Sequence, residues 1–274
     1  MPQDATTEGC PDAYVALAER LASVSREVIR QYFRTPVAVE QKPDDSPVTV
    51  ADREAEAAMR RLISSAAPDH GVFGEEYGAE RTDAEYVWVL DPIDGTKRFI
   101  TGHATFGTLI ALLRNGVPVL GVINMPMMGE RWLGVAGRPT THCDHNGTRE
   151  VQVRVCAEPG QAVLCATSPD MFTGEDSTAF AQVHRRAALP LFGSECYAYG
   201  LLASGFVDLV IEANMGPYDY LPLVQVVVGA GGVMTDWQGA PLRLHSDGRV
   251  IAAGDARCHD AALTLLGAGD MPPT

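Results

Sequence analysis

A chain of 274 residues with 46% hydrophobic side chains can bury a sizeable core, and its scattered Pro and Gly exclude collagen-like and low-complexity classes. Thirty-five acidic against 21 basic residues leave a net charge of −14, which disfavours nucleic acid and anionic membranes and points to a small-molecule partner. No run approaches the roughly 20 apolar residues of a membrane span, and Met1 to Pro11 has neither a basic start nor an apolar stretch, so the cytoplasm is the expected compartment.

From Asp12 to Phe33, Leu17, Leu21, Val24, Val28 and Tyr32 recur at three- and four-residue steps and predict an amphipathic helix. Ser46-Pro47-Val48-Thr49 must then be extended or turned. A second helix is expected over Ala51 to Ala66, with Thr49 as its cap and Pro68 beyond its end. Strand-like runs follow at Val87 to Leu90, Gly107 to Leu113, Val117 to Ile123 and Arg131 to Val135. Strands in succession without helices between them predict a largely antiparallel sheet with helices packed on it, an α+β pattern.

Beyond residue 155, strands near 162–166, 206–211, 232–236 and 249–253 alternate with helices near 176–188, 196–204, 217–230 and 256–266, an α/β pattern. We therefore expect two halves, 1–153 and 154–274, with the active site in the cleft between them. The six cysteines form no Cys-x-x-Cys pair and are expected to be reduced and mostly buried. His142-Cys143-Asp144-His145 has zinc-ligand types but lacks a second half and lies in a turn.

The chemistry concentrates at Asp91-Pro92-Ile93-Asp94-Gly95-Thr96. A buried strand runs into two carboxylates; Pro92 is expected to end its ladder, and Gly95 permits a positive-φ turn. Both acids and the Ile93 carbonyl can then face one point, and hard cations take such oxygen ligands. If Thr96 to Ile100 is a short helix, the Gly95 and Thr96 amides lie at its positive end, where a phosphate oxygen can be held. Read alone, the motif is more often an ordinary turn and cap. Further acids stand at Gly74-Glu75-Glu76, at Asp52 opening a helix and at Asp219 opening another, and the helix dipole alone would explain the last two.

Four blocks together resemble the inositol monophosphatase-like family of metal-dependent phosphatases: Ser46 to Asp52, Gly74 to Glu76, Asp91 to Thr96, and Asp219 followed by Gly229-Ala230-Gly231-Gly232. The resemblance implies the family's layered αβαβα sandwich. It implies that Glu75, Asp91 and the Ile93 carbonyl bind a first Mg2+ and that Asp91, Asp94 and Asp219 bind a second. Thr96, paired with Asp52, would orient the attacking water, with Glu75 beside it in the catalytic set, and the Gly95 and Thr96 amides would hold the phosphate. It also implies a homodimer.

Asp52, Glu75, Asp91, Asp94 and Asp219 carry five negative charges when ionised, and two Mg2+ supply four positive ones. A phosphate dianion would be repelled, so a third, weaker Mg2+ is expected near Glu75. Within the family the chain resembles histidinol-phosphatases most, through Lys97 to Gly102, Thr105 to Leu113, Ser194 to Gly200 and Glu212-Ala213-Asn214. L-Histidinol phosphate carries an ammonium and an imidazole, and Glu195 and Glu212 are the carboxylates expected to meet them. Pro222 departs from the inositol phosphatase pattern and is expected to fall where a helix tolerates proline. Inositol 1-phosphate, sugar phosphates and nucleotide 3′-phosphates are the competing substrates, and a catalytically silent metal- and phosphate-binding module is the competing class.

Overall fold

Successive side chains of the strand Tyr86–Asp94 enter different cores: Val87 and Val89 join one buried cluster, Trp88 and Leu90 another. A strand buried on both faces lies inside a layered stack, because the pleat sends alternate residues to opposite sides. The computed structural model describes residues 9–41 and 47–268. Met1 to Glu8, and Ser46 of the first block, lie outside the described residues.

In chain order the first elements are α1 (Asp12–Tyr32), β1 (Val39–Gln41), β2 (Pro47–Thr49), α2 (Val50–Ala66), β3 (Gly71–Gly74), β4 (Gly78–Glu80), β5 (Tyr86–Asp94), α3 (Thr96–Ile100), β6 (Gly107–Arg114), β7 (Val117–Met125), β8 (Glu130–Val135), β9 (Thr141–Asp144) and β10 (Gly147–Glu150). There follow β11 (Val163–Ala166), α4 (Glu175–His184), β12 (Leu189–Phe192), α5 (Tyr197–Ala203), β13 (Leu209–Glu212), α6 (Pro217–Gly229), β14 (Val233–Thr235), β15 (Val250–Ala253) and α7 (Ala256–Gly267).

The larger sheet has the order β10-β9-β8-β7-β6-β5-β3-β4, antiparallel except where β3 runs parallel to β5. The smaller, β12-β11-β13-β15-β14, is parallel on one side of β13 and antiparallel on the other. Helices α1 and α2 cover the outer face of the large sheet over Trp88, Leu90, Ile110 and Leu112. Helices α5 and α6 fill the layer between the sheets, where Val87, Val89 and Leu109 meet Tyr199, Leu202, Leu223 and Val226 and, from the small sheet, Val210 and Ala252. Helices α4 and α7 close the far side over Leu209, Ile211 and Ala253. The αβαβα sandwich expected from the sequence is the observed fold.

Two details correct the sequence reading. Pro92 does not end the ladder: β5 pairs Asp91 with Leu109, bulges, and resumes pairing at Asp94 with Gly107. The bulge lets the chain pass a residue without an amide hydrogen and still return to register. Pro222 lies beyond the first turn of α6, inside the helix. The helix continues because its neighbours hold it from outside: a Cβ on Gly121 of β7 would collide with the Pro222 carbonyl, and one on Gly134 of β8 with Gln225. These two glycines let the α6 backbone lie directly on the large sheet, which fixes where Asp219 projects.

Candidate active site

The bulge in β5 sets the first two acids. Asp91 is buried and accepts the Ile93 amide through Oδ1 at 2.9 Å, an Asx-type turn that carries the chain around Pro92. Behind it the Thr108 hydroxyl donates to the Pro92 carbonyl at 2.9 Å, and Ser25 and Thr108 share a 2.9 Å hydroxyl contact. Gly95 follows at φ 87°, the left-handed region glycine enters freely, and α3 starts at Thr96.

Asp219 arrives from the other half of the chain in the first turn of α6, where Oδ2 accepts the Gly216 amide at 2.7 Å. One oxygen from each of Asp91, Asp94 and Asp219 can be chosen so that all three lie within 4.8 Å of one another, and among the described residues no other cluster of His, Cys, Asp or Glu does so. Glu75, after β3, is tied to β5 by its amide, which donates to the Leu90 carbonyl at 3.1 Å. Asp94 Oδ2 also accepts the Cys196 amide at 2.7 Å, so the loop before α5 is fastened to the same cluster.

Burial raises the carboxyl pKa values of Asp91, Asp94 and Asp219, and the neighbouring acids raise them further: Glu75 acts on all three, and Asp94 acts on both Asp91 and Asp219. Such a group of acids is stable only with protons or a cation among them. An all-oxygen donor set of this charge suits Mg2+, a hard ion, rather than a thiophilic metal.

Asp52 is 1% exposed and forms the capping box of α2, its Oδ2 accepting the Thr49 amide at 2.9 Å and hydroxyl at 2.6 Å. Its Oδ1 faces the Thr96 hydroxyl at 3.5 Å, and that hydroxyl lies 3.1 Å from the Ile93 carbonyl. Burial lifts the Asp52 carboxyl to about 6, against the pull of the Thr49 bonds. The family resemblance implies an Asp52–Thr96 pair, and the structure brings the two within reach.

The two acids assigned to the substrate side differ. Glu195 sits in a left-handed conformation at φ 44° with its Cγ against Gly95, and its Oε1 accepts from Arg98 Nε at 2.9 Å. Its Oε2 is buried without a hydrogen-bond partner. Glu212 is buried on β13 and already accepts the Thr167 amide at 3.0 Å, the Thr167 hydroxyl, and the Tyr199 hydroxyl at 2.9 Å. Three of its roughly four acceptor sites are therefore occupied; burial outweighs those bonds and lifts its carboxyl to about 7.

Sequence reasoning missed Arg98, the Cys196 amide and Glu56: the first two act across about a hundred residues and Glu56 across about twenty, and such contacts leave no local signature. His142 does not join a zinc cluster: strand alternation turns Cys143 to the opposite face, while the His142 ring stacks on Trp132 and meets Glu130 at 3.1 Å. All six cysteines are free thiols, five of them buried. His103 and His184 are held by ordinary neighbours, Thr101 and the Phe180 and Phe192 rings. Among the described residues no helix is long and apolar enough to cross a membrane.

The inositol monophosphatase family model matches residues 11–268. The bifunctional phosphatase IMPL2 of Arabidopsis thaliana is 48% identical over 93% of this chain and 75% of its own length. A histidinol-phosphatase of Chlorobaculum parvum is 35% identical over 88% of this chain and 92% of its own. Among solved structures, an inositol monophosphatase from Zymomonas mobilis superposes with a TM-score of 0.85 at 45% identity, over 97% of this chain and all of that one. On fold, acid cluster and sequence together, this chain belongs to the inositol monophosphatase family of metal-dependent phosphatases.

Proposed function

We propose that this phosphatase hydrolyses L-histidinol phosphate to L-histidinol and phosphate, a step of histidine biosynthesis, with Mg2+ as cofactor. The observation that carries the reading is the buried, unpartnered Oε2 of Glu195, one residue from the amide that holds Asp94. A buried carboxylate oxygen with no donor is costly, and a substrate ammonium would supply one. The name of one relative, the histidinol-phosphatase of Chlorobaculum parvum, agrees with it.

In this reading Glu75, Asp91, the Ile93 carbonyl, Asp94 and Asp219 would hold two Mg2+, and a third, weaker site would lie near Glu75. When bound, Mg2+ supplies positive charge against the phosphate and acidity to water. The Gly95 and Thr96 amides, at the start of α3, orient the phosphate oxygens. A water placed against Thr96 Oγ1 can give up its proton toward Asp52 as its oxygen attacks phosphorus, and the phosphorus–alcohol bond breaks as the alcohol leaves with a proton from solvent. Glu195 and Glu212 face the alcohol portion. The division at 153–154 and the homodimer belong to the same proposal.

Inositol 1-phosphate is the second reading, favoured by the Zymomonas mobilis structure. Phosphate release from L-histidinol phosphate, inositol 1-phosphate and a nucleotide 3′-phosphate, with and without Mg2+, tests both. Faster turnover of inositol 1-phosphate than of histidinol phosphate would reverse the order, and no release from any ester would leave a silent binding module.

A further inference from the structure

Glu56 is a fully buried carboxylate outside the acid cluster, on α2 one turn after Asp52. Its Oε2 accepts the Glu76 amide at 2.7 Å, and its Oε1 accepts the Tyr77 amide at 3.2 Å and Arg60 Nε at 2.7 Å. Both amides belong to the β3–β4 turn that presents Glu75. Arg60 also donates to the Gly78 carbonyl at the far end of that turn. Gly74, immediately before Glu75, has no room for a side chain: a Cβ there would overlap the Glu56 carboxylate.

The turn is therefore gripped at three points. The Glu75 amide is fixed to Leu90 of β5, and the next two amides are fixed to a side chain of α2. A core that only needed filling would take an apolar residue here at lower desolvation cost. A carboxylate can receive two turn amides at once, and charged acceptors bind amides about twice as strongly as neutral ones. The Arg60 guanidinium offsets its charge.

We infer that Glu56 is a positioning residue for the metal site: it holds the Gly74–Gly78 turn so that Glu75 is pre-set to receive Mg2+. The inference rests on the reading of Glu75 as a metal ligand. It predicts that Glu56 contributes to Mg2+ affinity only through Glu75.

The test is a double-mutant cycle of Glu56→Gln and Glu75→Gln in the full chain, read as the Mg2+ dissociation constant by calorimetry on metal-free protein. Glutamine places an NH2 against donors, so the turn must shift. Glu56→Gln should weaken Mg2+ binding about 10-fold, as loss of a group that orients a metal ligand does. The double variant should bind no more weakly than Glu75→Gln alone. Turnover by Glu56→Gln at saturating Mg2+ should return to within about 3-fold of the parent, which a general loss of folding would not allow.

Additive effects, or an unchanged dissociation constant in Glu56→Gln, would overturn the inference. No effect of Glu75→Gln would instead remove the metal-ligand reading beneath it. Should Glu56→Gln fail to fold, Arg60→Met replaces it in the cycle, with a rise of about 2- to 3-fold expected from a weakened grip and no rise counting against it.

Discussion

Arg98 and Glu195 are joined by a 2.9 Å Nε–Oε1 bond, while the second oxygen of Glu195 faces no donor. The pairing helps keep the carboxylate charged in a buried place: burial pushes its pKa up, the Arg98 bond pulls against that shift, and the balance leaves it at about 6. It also leaves Oε2 rather than Oε1 without a partner. Replacement of Glu195 by Gln should raise KM for L-histidinol phosphate by about 10-fold, the worth of one charge-assisted hydrogen bond. An uncharged phosphate ester should lose little. Steady-state kinetics on both substrates decide it, and equal losses would remove Glu195 from substrate recognition.

The contrast between Glu195 and Asp91 explains what the sequence could disclose. Asp91, Asp94, Gly95 and Thr96 fall within six consecutive residues, so a single local turn made them visible as a candidate site, although that spacing alone also fits an ordinary turn and cap. The burial of β5 on both faces was also legible, because Val87 to Leu90 is apolar throughout, whereas the layer order came from the family resemblance. The short strands β1, β4, β9, β10 and β12 were not, since their side chains are largely exposed or polar and carry no period-two apolar signal. Arg98, Cys196 and Glu56 act through contacts that exist only after the halves or the turn have packed.

The raised acids make metal and stability one problem. A buried acid whose folded pKa exceeds its unfolded value favours the folded state while protonated, so that contribution is fully present below the unfolded pKa and fades as pH rises through the folded one. For Glu212 the window runs from 4.5 to about 7, and Asp91, Asp94 and Asp219 shift in the same direction. Asp144 and Asp255, lowered to about 2, remain ionised throughout that window and do not oppose the trend. His70, His142 and His259, lowered by burial, gain stability as pH rises through this range, but the raised acids outnumber them, so in EDTA the melting temperature should fall between pH 5 and 7.5. Mg2+ at about 100 times its dissociation constant should restore about 2.7 kcal/mol at the upper end. Differential scanning fluorimetry across this range checks both slopes, and a metal-free protein that became more stable toward pH 7.5 would contradict the account.

Asp219→Asn separates function from stability. Asn keeps an oxygen for the Gly216 amide, so the start of α6 should survive, while one charge leaves the cluster. Without metal the variant should melt about 2–4 °C higher, the equivalent of about 1 kcal/mol in a chain of this size. With Mg2+ it should gain less than the parent, and turnover should fall by more than the roughly 100-fold associated with the groups that merely orient a ligand. A metal-free melting point below that of the parent would show that Asp219 holds the fold rather than the ion.

Gly121 links the large sheet to the far half of the site. A methyl group there meets the Pro222 carbonyl, a backbone atom in the middle of α6 that cannot rotate away. Gly121→Ala must therefore lift the helix from the sheet, at a cost of about 1–3 kcal/mol for overpacking, a fall of roughly 2–12 °C in melting temperature. Because Asp219 rides on α6 while Asp91 and Asp94 stay on β5, the same shift should weaken Mg2+ binding. Gly267→Ala is the control, with open space around it and no left-handed backbone to strain, and should change stability by less than about 0.5 kcal/mol. If Gly121→Ala lowered the melting temperature but left the Mg2+ dissociation constant untouched, the acid cluster would not depend on how closely α6 approaches β7.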